Sequence, residues 1–322
     1  MRPIALPLVV LVVISMMAFA LSLALGSVPV AVPDLLNVLL GSGDPLQTTL
    51  VLELRLPRTL SAFATGGLLA VAGALMQVLL RNPLADPYIL GLSGGAAFGA
   101  LLAMLAGLGG ALVSGSAFAG ALLATVLVFG LAHGTGSWTP SRLLLTGVVV
   151  ASGWGAGITL LLALSPAHRL PGMLYWLMGD LSYARTGWLP LALLVLVCLL
   201  VLPLGRSLNV LARGPMQAAA LGVSVRALEA MVYVVASLLT AIAVTTAGSI
   251  GFVGLIVPHM LRLVVGNDQR LILPACGLAG GSLLVVADTV ARTVVAPEQL
   301  PVGVITALLG VPVFLYLLHR SR

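Results

Sequence analysis

The sequence predicts an all-α, polytopic membrane protein of about ten transmembrane helices with both termini cytoplasmic. Of its 322 residues 60% are hydrophobic and 7% charged, with a mean hydropathy of +1.19, whereas an average soluble domain carries roughly 25% charge. Nearly every apolar run approaches the ~20 residues that a helix needs to cross ~30 Å of hydrocarbon. The residue-by-residue alternation of a transmembrane barrel is absent. The chain reads as one membrane domain over 1–322, with a cytoplasmic segment at 205–226.

Apolar runs and their Gly, Pro and polar punctuation give spans at 4–25, 59–80, 88–109, 111–132, 142–164, 188–204, 227–247, 250–265, 271–290 and 303–319. The first run, behind Arg2, is too long for the roughly 7–15-residue core of a signal peptide, despite Ala18-Phe19-Ala20, and is expected to be retained. Residues 88–132 would extend about 67 Å as one helix, so the run breaks, at Gly107 to Gly110. The same reasoning splits 227–265 at Ala247-Gly248-Ser249. Between the second and third spans, Arg81-Asn82-Pro83-Leu84-Ala85-Asp86-Pro87 holds two prolines. Each removes an amide donor and biases its predecessor away from the helix, which predicts a tight, shaped turn. Gly95 and Gly99, Gly153 and Gly157, and Gly277 and Gly281 have the spacing of helix-packing seams.

All 15 basic residues are arginine. Scattered singly between apolar runs, they suit membrane orientation rather than nucleic acid. With the N-terminus inside, the cytoplasmic side carries Arg2, Arg81, Arg142, Arg206, Arg213, Arg226, Arg262, Arg270, Arg320 and Arg322, as the positive-inside rule requires. It leaves Arg55, Arg58, Arg169, Arg185 and Arg292 outside, unexplained. Without lysine no GxxxxGK[ST] phosphate loop exists, so ATP, if used, is hydrolysed by another polypeptide. Cys198 and Cys276 lie in apolar runs without metal or disulfide spacing, so no metal site is expected. The acids avoid mid-span, with Asp288 near the outer end of its span and Glu229 near the inner end of its own. That argues against ion coupling, although backbone carbonyls of broken helices keep a stand-alone secondary transporter open. Gly91-Leu92-Ser93-Gly94-Gly95 matches G-x-S-x-G, and with His259 raises an intramembrane serine hydrolase.

LRLPRTLSAFATGGLLAVAGALMQVLLRNPLADPYILGLSGGAAFGA (54–100), SRLLLTGV (141–148), LNVLARGPMQAAALGVSVR (208–226), GSIGFVGLIVPHMLRLVVGNDQR (248–270) and ADTVARTVVAPEQLPVGVITALLGVPVFLYLL (287–318) resemble the permease subunits of binding-protein-dependent ABC importers for vitamin B12, ferric siderophores and haem, the FecCD type. The resemblance covers nearly all of the chain after about residue 50. It implies a non-enzymatic bacterial inner-membrane permease that works as a pair, most simply a homodimer, by alternating access. Two cytoplasmic ATPase subunits using ATP and Mg and one periplasmic binding protein complete it; this chain binds no cofactor. The resemblance places Asn82, Leu84, Pro140 and Ser141 at the translocation gate, and Arg55, Arg58 and Arg292 against acidic residues of the binding protein. It assigns Arg206, Leu208, Leu211, Arg213, Ala218, Leu221 and Gly222 to ATPase coupling. Met216 stands where many relatives carry an acid. At the outer mouth, His168 and Arg169 beside Met173, Tyr175 and Trp176 raise haem as one cargo among the chelates, against the plainer reading of an interfacial aromatic belt.

Overall fold

A computed structural model describes residues 5–132, 139–182, 184 and 187–320; Arg2, Arg185 and Arg322 lie outside these. The described residues form helices and connections without a strand. The helices are α1 (Ala5–Ala24), α2 (Val32–Leu39), α3 (Pro45–Thr48), α4 (Leu56–Leu79), α5 (Leu92–Leu105), α6 (Ala111–Ala132), α7 (Pro140–Leu164), α8 (Leu170–Leu177), α9 (Trp188–Val201), α10 (Gly205–Leu211), α11 (Pro215–Ala220), α12 (Val225–Ala247), α13 (Val253–Val265), α14 (Gln269–Thr293) and α15 (Val302–Arg320). A π-helical stretch, Thr49–Arg55, leads into α4.

A helix lies at each of the ten expected spans. Seven are long and apolar enough to cross a membrane; those at Leu92–Leu105, Val253–Val265 and Val302–Leu317 are shorter. The run from 88 to 132 breaks at 106–110, where Gly107 and Gly110 have φ of 78° and 53°. The second long run breaks at Gly248 to Phe252, and Phe252 itself has φ 71°, a left-handed conformation that costs a bulky residue about 1–2 kcal/mol.

The core is built around α4, which is buried from Thr59 to Leu79. It packs on α14, α12, α13 and α9. Small residues permit this: a methyl on Gly66 would meet the Gly280 carbonyl oxygen at 2.2 Å, and one on Gly73 the Gly254 carbonyl oxygen at 1.9 Å. In a bilayer such backbone approach replaces the hydrophobic drive that lipid removes. Of the expected seams, Gly95 and Gly99 do pack α5 onto α6, against Gly120 and Ser116. Gly281 packs under the Phe63 ring and Gly157 against the Phe98 ring, but Gly153 faces open space and Gly277 has only loose contacts; the close approach on α14 is at Gly280 instead. α1 is held to α14 and α4 through Ser15–Ser282 and Ser22–Thr59 hydroxyl pairs, both 2.8 Å.

α4 and α14 run antiparallel, since Arg58 near the start of α4 meets Asp288 near the end of α14. The bundle therefore has two polar ends. The 24 residues of α4 separate them by about 36 Å.

Two polar ends and the turn between α4 and α5

At the end where α4 begins, Arg58 and Arg292 share one carboxylate. Asp288 accepts from Arg58 Nε at 3.1 Å on each oxygen and from Nη2 at 2.8 Å. Arg292 Nε stands 3.0 Å from its other oxygen, an ion pair angled away from a hydrogen bond. Arg58 Nη1 also donates to Gln299 Oε1 at 2.7 Å, and Arg292 Nη2 to Ser22 Oγ at 2.9 Å. Arg55 donates to the carbonyls of Leu23 (2.7 Å), Ala24 (3.1 Å) and Val28. It caps α1, whose last carbonyls have no intrahelical partner and carry the negative end of the dipole.

The three arginines that the resemblance places against a binding protein are each paired within this chain. Arg55 and Arg292 are each 5% exposed, and the Arg58 side chain 12%, because buried arginines need partners and this chain supplies them. They still line, with Glu53, Ser182 and Gln299, a cavity of about 380 Å³ at this end.

Arg169 is likewise drawn inward: its Nη1 donates to the Met104 and Leu105 carbonyls and caps α5. Arg169 is half-buried, with Nη1 engaged by these two carbonyls. His168 is exposed, and Met173 is buried under α8.

At the opposite end, the turn between α4 and α5 has the tight shape expected. Asn82 Oδ1 accepts from Leu84 N at 2.9 Å, Ala85 N donates to Asn82 O at 3.1 Å, and Asp86 Oδ1 accepts from Tyr88 N at 2.7 Å. Asp86 thereby caps the short 3₁₀ helix Pro87–Leu90, which ends at Gly91, φ 71°. Burial pushes the Asp86 carboxyl up to about 6, against the pull of the Tyr88 bond. Leu84 is half-buried.

Gln77, which sequence reading passed over, ties this turn to the bundle. Its amide donates to the Ala85 carbonyl (3.3 Å) and the Leu255 carbonyl (3.1 Å), and its oxygen accepts from Arg262. A lone amide among GALM and VLL, four residues before Arg81, was the available signal. Pro140 is the first residue of α7, its preferred position, and Thr139 Oγ1 caps the helix by accepting from Arg142 N at 3.3 Å. Ser141 is exposed at this same end, since α7 packs against the 3₁₀ turn where Gly147 meets Ile89.

The segment 205–226 folds as α10, α11 and a turn into α12. Leu208, Leu211 and Ala218 are fully buried in this chain's own core, which corrects their assignment as partner contacts: they hold α10 and α11 onto the bundle. Met216 and Leu221, 85% and 71% exposed, form the outward apolar surface, with Arg206, Arg213 and Gly222 (φ 79°) also exposed. Asn209 bridges α10 to α14, donating to Asp268 Oδ1 at 2.9 Å and accepting from Gln269 N at 2.7 Å. Arg270 holds the Asp268 carboxyl far below the usual carboxylate range.

Ser93 Oγ lies 2.7 Å from Ser249 Oγ. A hydroxyl partner is not the general base that nucleophilic catalysis needs, so nothing supports the hydrolase reading.

These features define a helical membrane permease, and the sequence model of the FecCD transport family matches residues 11–320. The chain belongs to that family, whose members are permeases of ABC importers. It is 39% identical to the hemin transport system permease HmuU of Yersinia pestis, over 84% of this chain and 83% of the other. The vitamin B12 import system permease BtuC of Shigella boydii is 38% identical over 98% and 95%. An uncharacterized ABC transporter permease, YvrB of Bacillus subtilis, is 40% identical over 94% and 90%. Among solved structures, an ABC transporter of the metal-chelate type in an inward-facing conformation superposes with a TM-score of 0.87 at 31% identity, covering 97% of this chain and 98% of that one. The chain is thus a multi-pass membrane transport component.

Proposed function

We propose that this chain is the permease of a bacterial inner-membrane importer that takes a metal chelate (cobalamin, haem or a ferric siderophore) from a periplasmic binding protein and passes it to the cytoplasm. Its ten helices would all cross the membrane, with both termini inside, and two copies would enclose the path. ATP and Mg would act on two separate ATPase subunits, and this chain would hold no cofactor. The observation that carries the reading is the family match along 11–320, which takes in both polar ends and the turn between α4 and α5.

On this reading the exposed surface of 205–226, with Arg206, Arg213, Met216, Leu221 and Gly222, seats the ATPase. Leu208, Leu211 and Ala218 transmit its movement to the bundle. Asn82 and Leu84, with Pro140 and Ser141, border the inner mouth. Gln77 couples that turn to α13. ATP contributes only so far as it binds the two states of the path differently. At the outer end, docking exchanges partners: an acidic residue of the binding protein takes Arg58 or Arg292 from Asp288, which favours encounter and register more than affinity.

The deciding experiment is ATP hydrolysis by the chain reconstituted in liposomes with its ATPase and candidate binding proteins loaded with vitamin B12, haem or a ferric siderophore. Stimulation by one loaded binding protein, lost in Arg58→Glu, supports the importer and names the cargo. Cargo movement without any ATPase would favour a secondary transporter.

A further inference from the structure

On the importer reading above, the ATPase acts on 205–226, and few bonds tie that segment to the membrane helices. Leu208, Leu211 and Ala218 are buried in the core, but apolar contact is non-directional and fixes no register. Hydrogen bonds do fix one. Among the described residues, the side-chain hydrogen bonds that leave this segment are both made by Asn209. Its amide donates to Asp268 Oδ1 at 2.9 Å, and its Oδ1 accepts from Gln269 N at 2.7 Å. One half-buried side chain thus spends its donor and its acceptor on consecutive residues at the start of α14.

The receiving end is held from several sides. Asp268 caps α14 by accepting from Arg270 N at 3.1 Å, and Arg270 Nη2 grips the same carboxylate at 2.7 Å. Gly205 lets α10 begin directly against this turn: a Cβ there would stand 3.2 Å from Arg270 N and 2.6 Å from its Cγ. Pro274 lies inside α14 and removes one intrahelical hydrogen bond close to this end. The first turn therefore depends on outside contacts to move with the rest of the helix. From Asp268 to Asp288 is about 30 Å along the axis, and Asp288 with Arg58 and Arg292 forms the ionic cluster at the other end. α14 thus joins Asn209 to the place where, on the same reading, the binding protein docks.

We propose that Asn209 is the positioning residue that couples 205–226 to α14, and through α14 to the outer cluster, so that docking at one end is felt by the ATPase at the other. Asn209 touches neither cargo nor nucleotide; it acts through Asp268 and Gln269. The inference rests on the importer reading and names the side chain that carries its coupling. Without Asn209 the ATPase stays seated on Met216 and Leu221, which are untouched, but a docked binding protein no longer raises its turnover.

The test uses the full chain in liposomes with its ATPase and the binding protein, loaded with vitamin B12, haem or a ferric siderophore, that stimulates the wild-type chain. Three quantities are read: ATPase copurification, stimulation of ATP hydrolysis over the basal rate, and chelate taken up per ATP. Asn209→Ala should keep the ATPase bound and lower stimulation and chelate per ATP about fivefold or more, the equivalent of about one hydrogen bond. Asn209→Asp should do the same, because two carboxylates then face each other. Adding Asp268→Asn to Asn209→Asp restores a donor and an acceptor in the opposite sense, keeps a capping side chain on α14, and should recover most of the stimulation. Each variant is also melted, since a merely structural role would tie stimulation to Tm. Undiminished chelate per ATP in Asn209→Ala, loss of the ATPase itself from that variant, or a swapped pair that folds and binds the ATPase yet stays uncoupled overturns the proposal. If no loaded binding protein stimulates the wild-type chain, the importer reading itself falls, and the inference with it.

Discussion

Asp288 holds Arg58 and Arg292 with its two oxygens, and the desolvation of both guanidiniums is offset only while that carboxylate is present. Removing one member of a buried ionic cluster costs about 3–5 kcal/mol, so Asp288→Asn should lower the stability of the detergent-solubilised chain by about 3 kcal/mol or more. Asp288→Asn combined with Arg292→Gln should recover part of that loss in thermal unfolding, because one stranded charge is removed; an additive double variant would deny the coupling. Asp86 gives a pH prediction. Its folded pKa, about 6, lies above the ordinary 3.8. The fold disfavours the ionised form, so its contribution to stability is fully present below about 3.8 and declines as pH rises to about 6. Asp86→Asn keeps the cap on Tyr88 and should flatten that decline, measured as Tm against pH; an unchanged profile would show that another group titrates. The sequence announced Arg58 and Arg292 as outer charges, but Arg58 meets Asp288 only through the antiparallel packing of helices 230 positions apart. Arg292 lies four residues from Asp288 on one helix, a pairing that spacing does reveal.

Helix existence was legible, and helix faces were not. The breaks at 106–110 and 248–252 fall where chain length and glycines put them, because a helix of 45 residues does not fit a bilayer. Residues 26–55, passed over as connection, form α2, α3 and a π-helical stretch with a small core of Leu23, Val30, Leu35, Val38 and Val51. Such pieces are too short for periodicity to show. The same brevity hid the orientation of α10 and α11, seven and six residues long, with apolar side chains on both faces. The structure separates them by burial, and this yields a contrast. Met216→Asp with Leu221→Asp should leave the fold intact and abolish copurification of the ATPase. Leu211→Asp, which would bury a charge at a cost of several kcal/mol, should abolish the folded permease itself, read as loss of the monodisperse peak in size-exclusion chromatography. Retained ATPase binding in the Met216/Leu221 variant would remove this segment from the coupling role.

Among the described residues, the exceptions to the positive-inside rule are of a different kind from the charges that obey it. Arg55 and Arg169 cap helix ends, while Arg58 and Arg292 share Asp288. At the opposite end Arg81, Arg142, Arg206, Arg213 and Arg226 are exposed. Orientation depends on charges that would have to cross the bilayer during insertion, and among the described residues these exposed arginines gather at a single end. That end should therefore face the cytoplasm. Ser182 and Gln217 are exposed at opposite ends, and the native Cys198 and Cys276 can be changed to Ala to give a cysteine-free background. In intact cells an impermeant maleimide should label Ser182→Cys and spare Gln217→Cys; in inverted vesicles the pattern should reverse. Labelling of both from one side would break the two-ended topology, and the opposite pattern would mean that the exposed arginines face outward and that coupling through 205–226 lies on the wrong side of the membrane for a cytoplasmic ATPase.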